Sequence, residues 1–176
     1  MEQFPDDPSG EPDLPPEVVE VLENLMGVVG ALRMLREGRY NVTSFAQAVN
    51  EAAVIAERTG DLEALDELGD GMITLQQYFQ QQNYALLETL AASELPYTRG
   101  TGAWALESAL KVDPKGTIAV WQKLLDDPSP KVVEAALLNY QHATVAEDRE
   151  KLVITRKQKR ALKPYVQQAR KRLGQD

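Results

Sequence analysis

The 176-residue chain has no cysteine, a single histidine and only 6% aromatic residues. Without cysteine there can be no disulfide scaffold, no thiol nucleophile and no Cys-ligated zinc or iron–sulfur site. Long apolar runs are also missing. The longest, Leu25 to Leu35, is 11 residues and contains Arg33, too short to span a bilayer. The opening Met1-Glu2-Gln3-Phe4-Pro5-Asp6-Asp7 offers neither a basic start nor an apolar stretch, so a secretory signal is not expected and a cytoplasmic protein is. Hydrophobic residues make up 43% of the chain, enough for one domain that buries about 70% of its extended surface.

Charge is unevenly placed. The formal net charge of −8 combines 26 acids and 10 bases in residues 1–150 with nine bases and only Asp176 as an acid in residues 151–176. The body is thus an acidic object that repels polyanions, while the C-terminal stretch attracts them, or attracts another acidic surface. At the other end, residues 1–16 hold five prolines, five acids and no base. Proline removes backbone donors and the acids repel one another, so this stretch reads as an extended acidic tail. It serves as a solubilising tail or as a docking peptide for a basic partner.

Residues 17–176 read as one all-α domain of five to eight helices. Val18, Val21, Leu22, Leu25, Val28, Val29, Leu32 and Leu35 recur at three- and four-residue steps, the apolar stripe of an amphipathic helix. A second helix, capped by Thr43 or Ser44, carries Phe45, Ala48, Val49, Ala52, Ala53 and Ala56, and Gly60-Asp61 breaks it. A third element spans Leu62 to Leu68, and a fourth spans Met72 to Ala92. No stretch alternates apolar and polar residues with β-branched enrichment, so no strand is predicted.

A spacing of 34 residues organises the second half. Leu90 and Leu124, Pro96 and Pro130, and Trp104 and Leu138 coincide at that offset. In each case a helix ends at leucines, a short Pro-containing turn follows, and a new helix begins. Hairpins of this kind bury both faces only by stacking on neighbours. Trp104, Trp121, Leu124, Leu137 and Leu138 are the expected core. The turn Asp126-Asp127-Pro128-Ser129-Pro130-Lys131-Val132-Val133 with Ala135-Ala136-Leu137, and Pro96-Tyr97-Thr98-Arg99 with Ala103, resemble HEAT repeats over residues 84–143. Val133 stands where that family usually has an arginine, and only Arg99 supplies one. The resemblance implies an α-solenoid-like stack of hairpins engaged in protein–protein binding.

Chemistry is sparse. His142 lacks an evident orienting partner beyond Glu147 and Asp148, and reads as a surface or packed histidine at a helix end. Glu63, Glu67 and Asp70 share one helical face and could hold a hard cation, although a solvated acidic face explains them as well. Gly69-Asp70-Gly71 and Arg99-Gly100-Thr101-Gly102 lack the strand and the Gly-Lys-Ser/Thr ending of a phosphate loop; Gly100 and Gly102 are expected to begin a helix under close packing. Asn41-Val42-Thr43 matches a glycosylation sequon without a secretory context. No catalytic constellation, metal site or cofactor is predicted.

The remaining candidate is a basic helix over residues 147–173, which Pro164 is expected to kink or divide. Its cations Arg156, Lys157, Lys159, Arg160, Lys163, Arg170, Lys171 and Arg172 are the candidate binding residues. They could complement the helix dipole and the acidic body, dock an acidic protein surface, or contact nucleic-acid phosphates. The last is restrained by the acidic body and by Tyr165 being the one aromatic available for stacking. A non-catalytic interaction or adaptor subunit of a larger assembly, or an assembly factor, follows as the expected function, without insertion into a membrane. A nucleic-acid-binding accessory protein is the alternative.

Overall fold

The computed structural model describes residues 42–66, 68–69, 80–144 and 154–175. The acidic tail over residues 1–16, the helix expected over 17–38, Glu67, Asp70 and most of the first half of the Met72 to Ala92 element lie outside the described residues. Those described are helical, with no strand among them. The all-α class is therefore established for this part of the chain, and none of its helices is long and apolar enough to cross a membrane.

Helix α1, Val42–Thr59, buries Phe45, Val49, Ala52, Ala53 and Ala56 and turns Gln47, Glu51 and Arg58 outward. It begins one residue before Thr43, which therefore lies in the first turn. Gly60 stops it with φ +77°, a left-handed conformation that glycine adopts without a Cβ penalty. Helix α2, Gln80–Ala91, seats Leu86, Leu87 and Leu90 in the core.

Pro96 and Pro130 each open a helix, where the missing N–H of proline is harmless. These are α3, Pro96–Gly102, and α6, Pro130–Thr144. A 3₁₀ turn, Ala103–Ala105, links α3 to α4, Leu106–Val112. Helix α5, Pro114–Leu125, is capped by Asp113, whose carboxylate accepts from the backbone N–H of Lys115 and Gly116. Gly100 and Gly102 thus lie at the end of a helix, not its start. A Cβ on Gly102 would stand 2.9 Å from the Leu90 Cβ, so α2 and α3 cross where only glycine fits.

Packing follows chain order. α1 lies on α2 and α3, α2 on α3 and α4, α3 on α6, and α5 on α4 and α6. The last helix, α7 (Arg156–Arg172), lies on α5 and α6. Trp121 is fully buried and donates its indole N–H to the Ala136 carbonyl at 3.0 Å, with Tyr140 edge-on at 6.3 Å. Trp121, Leu124 and Leu137 occupy the core as expected. Leu138 does not: it is 40% exposed, because consecutive helical residues point about 100° apart and Leu137 takes the inward position. Trp104 is half-buried at the core edge.

Candidate functional site: a cationic groove on the last helix

Helix α7 starts later than its composition suggests. Thr155 is its N-cap in extended conformation, and a capping box closes the end. The Gln158 N–H donates to Thr155 Oγ1 at 3.3 Å, and the Thr155 N–H donates to Gln158 Oε1 at 2.7 Å. Residues 147–153 of the expected basic helix lie outside the described residues, and the helix described begins at Arg156. Pro164 does not divide it: the helix runs unbroken from Arg156 to Arg172. Pro164 and Arg160 are both exposed, so the carbonyl that loses its donor has solvent available instead.

One side of α7 buries Leu162, Val166 and Ala169. Three polar contacts hold the helix in place. Gln122 Nε2 donates to the Ala161 carbonyl at 3.2 Å, Gln168 Nε2 donates to Asp126 Oδ1 at 3.3 Å, and Arg172 Nη2 donates to the Asp127 carbonyl at 2.6 Å. Arg172 also lies 3.7 Å from the Asp126 carboxylate.

With the start and the buried face known, the eight predicted cations separate. Arg156, Lys159, Arg160, Lys163 and Arg170 all line one groove of about 550 Å³, whose floor is Tyr140, Thr144 and Val166. Lys157 lines a different hollow with Lys115 and Ile118. Lys171 is exposed, and Arg172 points to the 126–127 turn as an internal tether. Burial pushes the Tyr140 phenol above its ordinary value, and the charge of Arg170 offsets part of that rise. Arg170 therefore stands close enough to the groove floor to act on it.

The charge arrangement opposes the helix that carries it. The first turn of α7 contains no acid, yet it holds Arg156, Lys157 and Lys159 at the positive end of the dipole. Like charges at i,i+4 on an exposed helix also repel by about 0.2–0.5 kcal/mol per pair. Arg156 with Arg160, and Lys159 with Lys163, stand at that spacing. Dipole compensation accounts for Arg170, Lys171 and Arg172 in the last turn and for none of the others. Among the described residues, the ion pairs are Arg99–Asp127 and Arg172–Asp126, and no described acid pairs with the five groove cations.

A second hollow of about 480 Å³ separates residues 62–66 from α3 and α6, and Leu62, Leu65, Tyr97, Trp104 and Leu138 line it. Asp66 and Glu134 stand at its margin, as does Lys131, whose ammonium lies 3.7 Å above the Tyr97 ring and hydrogen-bonds its hydroxyl. His142 is exposed beside the Trp104 ring at 6.3 Å. Burial holds the nearby Glu107 carboxyl above its ordinary value, with neighbouring basic groups offsetting part of the rise. No group of three His, Asp or Glu among the described residues is placed to hold a metal, and of the suspected cation ligands only Glu63 is described. Comparison with family models, with curated proteins and with solved structures finds no match for this chain.

Proposed function

We propose that the chain is a non-catalytic protein-interaction module that binds an acidic partner segment in the α7 groove. The observation that carries this reading is the convergence of Arg156, Lys159, Arg160, Lys163 and Arg170 on one groove with no acid among the described residues to pair them. A fold that keeps cations together against their own dipole and mutual repulsion leaves a demand for counter-charge, and a bound anion supplies it. Lysine and arginine stems add apolar contact to such a surface. Tyr165 does not line the groove, and Tyr140, which does, is only 7% exposed. Neither offers a base an open ring face there, which favours a carboxylate-bearing segment over nucleic acid.

The HEAT-like, solenoid-type reading belongs to the same proposal. Its support is the equivalence of Pro96 with Pro130 as helix openers and the clasp between Arg99 of one turn and Asp127 of the next. The test is titration of a fluorescent polyglutamate peptide and of a single-stranded oligonucleotide into the full chain. The peptide should bind at about 0.05 M salt and be released toward 1 M, as the screening length shrinks from more than 10 Å to about 3 Å. Reversing Arg156, Lys159, Arg160 and Lys163 to glutamate should abolish binding while the far-ultraviolet helical signal stays. Unchanged binding by this folded variant overturns the reading, and tighter binding of the oligonucleotide than of the peptide transfers the groove to nucleic acid.

A further inference from the structure

The surplus of positive charge on α7 has a counterpart on the same molecule. Residues 42–66 carry Glu51, Glu57, Asp61, Glu63 and Asp66, all exposed, against Arg58 as the single base. Residues 154–175 carry eight bases and no acid. The two surfaces belong to opposite ends of the packing order, since α1 lies on α2 and α3 whereas α7 lies on α5 and α6. No ion pair joins them within the chain among the described residues. Each end therefore presents unneutralised charge outward, and the signs are opposite.

Apolar surface accompanies the acids. Val54 and Ile55 stand 50% and 44% exposed on the outer side of α1, and Leu62, 39% exposed, stands beside the acids at the open hollow. The long aliphatic stems of arginine and lysine cover such surface while their heads reach carboxylates. A helix bearing a cationic stripe is thus matched twice over, by charge and by apolar area.

We infer that the occupant of the α7 groove is the acidic α1 end of a second copy of this chain. This rests on the groove reading above and names its partner. The contact joins two different surfaces, so it is heterologous: each molecule offers one donor end and one acceptor end, and association proceeds head to tail. Steering by opposite charges makes the association fast and salt-sensitive.

The heterologous geometry gives the test. One variant reverses the basic end (Lys159→Glu, Arg160→Glu, Lys163→Glu), and a second reverses the acidic end (Glu51→Lys, Glu63→Lys, Asp66→Lys), sparing Asp61, whose carboxylate accepts the Glu63 N–H at 3.0 Å. In sedimentation velocity at low salt the parent chain should grow in mass with concentration and revert to monomer toward about 1 M salt, where the Debye length is about 3 Å. Each variant alone should stay monomeric at unchanged helical content. An equimolar mixture should regain association, because the intact acidic end of the first variant meets the intact basic end of the second; a mixture that stays monomeric overturns the inference. A parent chain that stays monomeric at low salt overturns self-association. If it still binds polyglutamate, the groove reading survives; if it binds none, that reading fails too. Monomers that bind polyglutamate only after deletion of residues 1–16 would instead assign the groove to the chain's own acidic segment.

Discussion

Replacing Arg99 by alanine should remove the strongest polar clasp of the fold. The guanidinium grips Asp127 with two bonds, Nε to Oδ2 at 2.7 Å and Nη2 to Oδ1 at 3.0 Å. Its Nη1 also donates to the carbonyls of Ser93 and Glu94 at 3.0 and 2.9 Å. The side chains of the pair are 13% and 6% exposed. Alanine strands an almost buried carboxylate that keeps the Ser129 N–H at 2.9 Å but loses both guanidinium bonds. Charged hydrogen bonds contribute about 1.5–3 kcal/mol each, and removing one partner of a buried pair costs about 3–5 kcal/mol. Because Arg99 is not fully buried, the low end applies, about 3 kcal/mol. For a chain of this size that is a fall in Tm of roughly 6–12 °C. Urea unfolding followed at the helical dichroism band should show a lower midpoint at an unchanged slope. Asp127→Ala and the double variant complete a cycle, and the two losses should be strongly non-additive. A loss below about 0.5 kcal/mol for Arg99→Ala, within the range of an ordinary surface substitution, refutes the reasoning.

Two glycines two residues apart should respond with opposite signs. Gly100→Ala meets no atom closer than 3.8 Å and should stabilise by up to about 1 kcal/mol through helix propensity, whereas Gly102→Ala must displace Leu90 and should destabilise by about 1–2 kcal/mol in the same urea assay. Stability should also fall in acid. Burial alone would raise the Asp127 carboxyl, but the Arg99 guanidinium and the Ser129 N–H hold it below its ordinary value in the folded chain. Its contribution is therefore complete above about pH 4 and is lost as pH falls through the folded value; urea midpoints from pH 6 downward should decline less steeply in Asp127→Asn than in the parent.

The helices were legible where one local rule decided them. Apolar spacing marks α1, and a proline whose absent N–H fits a first helical turn marks α3 and α6. Trp104 and Leu138 were misplaced for a geometric reason. The 3₁₀ turn at Ala103–Ala105 advances about 120° per residue instead of 100°, so a count carried through from α3 arrives out of phase at Trp104. Leu137 and Leu138 are adjacent, and a one-sided stripe admits only one of them. No pattern within ten residues records either fact.

The charge of the binding surface was legible as composition, but not as a surface. Eight cations on a helix of uncertain start can be distributed over any face, and Thr155-x-x-Gln158, the local signal that sets the start, is a capping box readable in the sequence. Once α7 begins at Arg156, its phase places Arg156, Lys159, Arg160, Lys163 and Arg170 on one side. Arg172 was beyond such reasoning, because its partner is the Asp127 carbonyl 45 positions away. That same turn receives Arg99 from α3 through the Asp127 side chain and Gln168 from α7 through Asp126. One short acidic turn therefore anchors the neighbouring hairpin with the Asp127 carboxylate and the basic helix with the Asp127 carbonyl and the Asp126 carboxylate. Both acids of that turn are engaged in holding neighbouring elements, and neither lines the groove of Arg156, Lys159, Arg160, Lys163 and Arg170.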